Sequence, residues 1–220
     1  MNKNIGIIGE KIGMTRIFDP NGVAIPVSII KAGPAPIIEV KTTDKNGYES
    51  LKVAFKETKE NRLNKPLLGI FKKLNIKPHK FIREIRVNST EGFKVGDVLS
   101  VDIFKEGEYV NVTGITKANG FQGAVKRWGF AGGPKTRGQS DRHRAVGSIG
   151  SNTFPGRVWK NKKMPGRMGG ERVTVQNLEI VKILKDKNIL IVKGSVPGKK
   201  GEILIIKKAV KGIEKWKLKF

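Results

Sequence analysis

The sequence predicts a mainly β protein: an antiparallel β-barrel with a small helical insert and a long, irregular, basic extension. Three observations carry this. Short runs of apolar and β-branched residues recur between turns rich in Gly, Pro and Asn, the pattern of short strands. Helical spacing shows in one place. Between Gly114 and Gly170 the strand pattern stops for 57 residues, which hold 13 of the 27 glycines.

Taken in order, strands are expected at Ile5–Ile8, Gly13–Phe18, Val23–Lys31 and Ile37–Thr43, separated by Asp19-Pro-Asn-Gly22 and Gly33-Pro-Ala-Pro36. Those turn residues supply the dihedrals that reverse a chain. A strand at Leu51–Lys56 follows. Leu67, Ile70, Phe71 and Leu74 then fall at i, i+3, i+4 and i+7 behind Asn64 as cap and Pro66 in the first turn, which predicts a short amphipathic helix. Strand signals resume at Phe81–Val87, Val98–Val101 and Tyr109–Thr113, and after the glycine-rich interval at Arg172–Ile183, Ile189–Lys193 and Ile203–Lys208. Strands this short, spaced by turns, favour a closed antiparallel barrel. The expected organisation is a globular barrel at 1–113 plus 171–220, a helical insert at 57–80, and an extension at 114–170.

With 38% hydrophobic residues the 220-residue chain can fill a core. Its formal charge of +25 far exceeds what solubility asks and implies a polyanionic partner. Charge is uneven too: within 114–170 twelve Lys and Arg face Asp141 alone, so that interval carries +11. Phe121, Trp128, Phe130, Phe154 and Trp159 alternate with these basic residues, unlike the aromatic-poor composition of a disordered tail. A segment with so few aliphatic residues has little from which to build a core of its own.

Catalysis and metal binding find little support. The chain has no cysteine and only two histidines, His79 and His143, so no metal site or cofactor is expected. His143 stands between Arg142 and Arg144, and no second histidine or carboxylate cluster accompanies it to make a general acid–base site. "GSVPGKKG", Gly194–Gly201, has too short a spacer for a phosphate loop and Lys200 where Ser or Thr must hold magnesium; it reads as a turn between strands. The N-terminus lacks the apolar core and cleavage site of a signal peptide, no run is long enough to cross a membrane, and the two glycosylation patterns are chance matches. Cytoplasmic residence is expected.

Nucleic acid is the better partner. Arg and Lys bind phosphates, glycine lets the backbone approach closely, and Trp or Phe stacks on unpaired bases. The candidates are Lys126, Arg127, Trp128, Lys135, Arg137, Arg142, His143, Arg144, Ser148, Ser151, Asn152, Thr153, Arg157, Trp159, Lys160, Lys162, Lys163 and Arg167. RNA is expected rather than DNA, because no recognition helix, zinc finger or basic zipper is present to enter a major groove. An anionic-membrane segment is disfavoured by the glycines and the lack of an apolar helical face.

"GFQGAVKRWGF", Gly120–Phe130, and "DRHRAVGSIGSNTFPGRVWKNKKMPGRMGGERVTVQNLEI", Asp141–Ile180, closely resemble the bacterial-type ribosomal protein L3 family of the large subunit. "IGEKIGMTRIF", Ile8–Phe18, matches the family's start and "LIVKGSVPGKKG", Leu190–Gly201, its end. The resemblance implies a structural, non-enzymatic protein with a translation-protein-like barrel and an extension threading into 23S rRNA. It also implies a role in early subunit assembly, a tip near the peptidyl transferase centre, and ribosomal proteins L14 and L19 as neighbours rather than a second copy of the chain. Carried over by motif, Arg142, His143 and Arg144 precede the tip, Ser148 to Pro155 form it, and Arg157, Trp159, Lys160, Lys162 and Lys163 lie on the returning arm. Ser151 stands where some bacterial members have a methylated glutamine, so that modification is not expected. The runner-up function is a free RNA chaperone or nucleic-acid-compacting protein.

Overall fold

The computed structural model describes residues 5–209. These form two compact units, 5–115 with 172–209, and Thr116–Glu171. The strands in chain order are β1 (Gly6–Phe18), β2 (Ala24–Ala32), β3 (Ala35–Lys41), β4 (Ser50–Glu57), β5 (His79–Arg86), β6 (Val98–Leu99), β7 (Tyr109–Ile115), β8 (Gly120–Gln122), β9 (Gly166–Met168), β10 (Arg172–Leu184), β11 (Ile189–Lys193) and β12 (Ile203–Lys208). The helices are α1 (Thr43–Asn46), α2 (Lys65–Lys73) and α3 (Ala124–Trp128).

The larger unit is built on a closed antiparallel barrel in the order β1, β12, β7, β10, β11, β2. Alternation dictates its filling. On β7, Val110, Val112 and Gly114 are buried while Asn111 and Thr113 are not, and on β12 Leu204 and Ile206 are buried between partly exposed neighbours. With Ile30, Ile180, Leu190 and Val192 these side chains form one core. Each fully buried aliphatic contributes about 1.5–3 kcal/mol. Gly114 has to be small, since a Cβ there would lie 2.5 Å from Leu204 Cδ2.

β1 differs from the two strands expected. It is one strand with a register shift between Lys11 and Gly13 as it leaves β12 and continues along β2. Near that bulge the buried Lys11 ammonium donates to the carbonyls of Val196 (2.8 Å) and Gly198 (2.9 Å), pinning the Gly194–Gly201 turn to β1. A lysine that reaches backbone carbonyls offsets part of its desolvation.

The middle strands also depart from a single barrel. β3 pairs only with β4 and β6, in a separate four-stranded sheet ordered β5, β4, β3, β6. Its inner residues Ile37, Leu51, Val53 and Ile85 join the barrel core, and Ile38 and Ala54 face the other way, onto Phe71 of α2. The helix occupies 65–73 behind Asn64 and Pro66, as its spacing predicts, although Asn64 makes no side-chain cap bond. Ile70, Phe71 and Leu74 pack on the sheet, whereas Leu67, the first residue of the expected apolar face, is exposed.

Candidate nucleic-acid interface

Residues 116–171 bury almost nothing: Ala124 is their single buried residue. Backbone pairing and a few side-chain bonds to carbonyls shape the unit. At its ends the Thr116 amide donates to the Glu171 carbonyl (2.9 Å), and the Glu171 amide to Thr116 Oγ1 (3.3 Å). β8 and β9 then pair antiparallel, setting Phe121 opposite Arg167. Both are exposed, Phe121 to 77%.

α3 follows between Gly123 and Gly129, with Lys126 and Arg127 in its last turn, where the helix dipole favours cations. Arg127 Nη1 and Trp128 Nε1 both donate to the Met164 carbonyl at 2.9 Å, which ties the outgoing arm to the returning one. The Arg127 guanidinium lies 4.8 Å and the Lys163 ammonium 5.6 Å from the Trp128 ring centroid. One edge of the ring is thereby anchored and its π-face attracts cations.

Beyond α3 the outgoing arm folds back on itself. The Gly133 amide donates to the His143 carbonyl at 3.0 Å. Gly132 has φ 77°, and a Cβ on it would run into that same carbonyl. Val125, Ala131, Lys135, His143 and Arg144 line a cavity of about 420 Å³. A second, of about 380 Å³, shares Ala131 and adds Phe130, Gln139 and Arg142. Further along the chain Ser148 Oγ donates to the Gly150 carbonyl (3.0 Å), and Ser151, Asn152 and Thr153 are exposed beside Phe154, itself 87% exposed. On the return, Arg157 lies over the Trp159 ring at 5.0 Å, and the Lys162 amide closes a turn onto the Trp159 carbonyl that presents Lys160, Lys162 and Lys163.

Eight of the eighteen sequence candidates fall into three groupings: Lys135, His143 and Arg144 around a cavity; Arg127, Trp128 and Lys163 beside the Met164 carbonyl; and Arg157 with Trp159. Arg142 lines the second cavity, and Lys126, Arg137, Ser148, Ser151 to Thr153, Lys160, Lys162 and Arg167 stand apart from these groupings. Sequence reasoning missed the Met164 carbonyl and Gln139, which carry no chemical signal in a linear reading. It left Phe121 and Phe154 out of the site set, although their alternation with basic residues marks them.

The electrostatics are one-sided. Among the described residues eight ion pairs form, and none involves residues 116–171 despite their twelve Lys and Arg. Asp141 accepts from Ser140 Oγ rather than from a cation. No group of three or more His, Cys, Asp or Glu among the described residues could hold a metal ion. Exposed forks of donors beside exposed rings can hold phosphates and stack on bases.

The profile of a family described as Ribosomal protein L3 matches residues 83–188. The large ribosomal subunit protein uL3 of Herpetosiphon aurantiacus is 51% identical over 210 residues, covering 96% of this chain and 99% of that protein. The protein of the same name from Thermotoga petrophila is 51% identical over 203 residues, 92% of this chain and 96% of its own length. That from Carboxydothermus hydrogenoformans is 51% identical over 207 residues, 94% and 98% of the two chains.

Proposed function

The chain belongs to the ribosomal protein L3 family, structural proteins of the large ribosomal subunit rather than enzymes, and we propose that within that subunit it binds 23S rRNA directly through residues 116–171. In bacteria that subunit is cytoplasmic. The observation that carries the proposal is that none of the twelve Lys and Arg of this unit has a carboxylate partner among the described residues, whereas eight lysines of the barrel unit do. Unpaired cations held at close spacing repel one another until a polyanion neutralises them.

In this reading the barrel unit is a folded anchor and residues 116–171 are its rRNA-penetrating part. Arg142 and Arg144 contact phosphates, Trp159, Phe154 and Phe121 stack on unpaired bases, and Gly132 and Gly133 let the outgoing arm fold closely on itself, thin enough to lie between RNA helices. Ser148 to Pro155 form the end that approaches the peptidyl transferase centre. The protein joins the subunit early, with L14 and L19 as neighbours. Its part in translation is positional, because no general base, nucleophile or metal cluster accompanies the basic residues.

Crosslinking in the native cell, followed by sequencing of the attached RNA, tests this. Crosslinks should be confined to large-subunit rRNA and be thinned by deletion of residues 133–156. Crosslinks spread over many transcripts would favour the free chaperone.

A further inference from the structure

Outside residues 116–171, three cations without a carboxylate partner among the described residues converge on one notch of the barrel unit. It has a volume of about 260 Å³ and is lined by Tyr48, Glu84, Arg86, Arg172, Ile205 and Lys207. Alternation puts two of these on the other face of β12 from the buried Leu204 and Ile206: Ile205, partly buried and packed against the edge of the core, and the partly buried Lys207. Lys207 Nζ donates to the Arg86 carbonyl of β5 at 3.4 Å, which leaves two of its three N–H groups for another acceptor. The Arg86 guanidinium lies 5.0 Å from the Tyr48 ring centroid. No hydrogen bond or ion pair engages that guanidinium among the described residues, so its N–H groups remain available.

Glu84 is the only carboxylate in the lining, and it is already engaged by Lys41 at 2.6 Å and by the Tyr48 hydroxyl at 2.9 Å. Burial, followed by the charges of Arg172 and Arg86, holds the Lys207 ammonium below the ordinary lysine range. Three positive groups thus share one recess in which the Lys207 charge is penalised, and an anion there would relieve that penalty.

We propose that Arg86, Arg172 and Lys207 form a second RNA site in which the notch holds one phosphodiester, with Ile205 as an apolar wall for the adjoining ribose. The donors come from three strands, β5, β10 and β12, and enclose a recess. That arrangement suits a tetrahedral phosphate, whose acceptor oxygens point in several directions, better than a planar carboxylate from an acidic protein. The inference rests on the rRNA reading above for the source of the phosphate.

The test is binding of the full chain to large-subunit rRNA over a salt series, comparing wild type with Arg172→Gln/Lys207→Gln. Loss of one phosphate contact should lower the slope of log affinity against log salt by about 0.7–0.9. Melting of the free protein should be unchanged or higher, because like charges have been removed. An unchanged slope in a cooperatively melting variant overturns the proposal; if the double variant does not melt cooperatively, the exposed Arg172→Gln alone is read in the same way. In a second arm, inorganic phosphate is compared with chloride at matched ionic strength. Phosphate that raises wild-type but not variant melting, beside an unchanged RNA slope, would make the notch a small-anion site and overturn the RNA assignment. Poorer entry of the variant into large-subunit particles with that slope unchanged would point to an acidic protein and overturn it equally. A wild type that fails to bind rRNA would overturn the underlying rRNA reading, a result distinct from bound wild type with an insensitive slope.

Discussion

The barrel unit pairs eight of its lysines with carboxylates, and residues 116–171 pair none of their twelve Lys and Arg among the described residues. The barrel unit sets Lys41 on Glu84, Lys56 on Glu10 and Lys208 on Glu108 over a continuous aliphatic core. The smaller unit has one buried alanine, no ion pair among the described residues, and aromatic rings exposed by 42% at Trp128 and 87% at Phe154. The first is a folding solution complete in itself. The second has the groups of an interface without the complement, which is what a surface shaped for a polyanion looks like before the polyanion arrives.

Substitutions can break or sharpen this contrast. The largest effect is expected in the core: Ile206→Ala, fully buried, should cost about 2–5 kcal/mol of stability by chemical denaturation. Its salt slope for rRNA binding, measured on the folded fraction, should be that of wild type. Next comes Trp159→Ala, which should weaken rRNA binding by about 1–3 kcal/mol if a base stacks there, with barrel stability changed by less than about 0.5 kcal/mol. Equal losses in both measurements would return Trp159 to a packing role.

Arg142→Ala with Arg144→Ala should lower the rRNA salt slope by about 1.4–1.8 if each contacts its own phosphate, and leave melting of the free protein in place. The smallest effect belongs to the barrel's own charges. The hydrogen bond from Lys41 holds the Glu84 carboxyl below the usual range, so its contribution is present above the unfolded-state value and is lost as pH falls through the folded one. The melting difference between wild type and Glu84→Gln should therefore shrink steadily on acidification below about pH 4. A difference that persists in acid would mean the substitution acts through packing.

How much of this is legible in the linear sequence follows from the range of each interaction. Alternation at 109–113 and 203–208 and the i, i+3, i+4 spacing before Leu74 are local, and the strands and α2 lie where those patterns put them. The separate sheet of β3 to β6 is a matter of which strand finds which partner, and no single strand encodes that. β8, β9 and α3 are three to five residues long, too short to show a period, and the bond from Trp128 to the Met164 carbonyl spans 36 residues. Composition, by contrast, needs no geometry: twelve cations beside Asp141, with rings between them, mark the candidate interface before any fold is known. The notch of Arg86, Arg172 and Lys207 had no such mark, because its residues come from three distant strands.

Amide exchange across the whole chain, with and without large-subunit rRNA, tests the central claim most directly. The account predicts strong protection in β1, β7 and β12 in both states, and protection across residues 133–156 only when rRNA is bound. Barrel-like protection of 133–156 in the free protein, or exchange there that rRNA leaves unchanged, would contradict it.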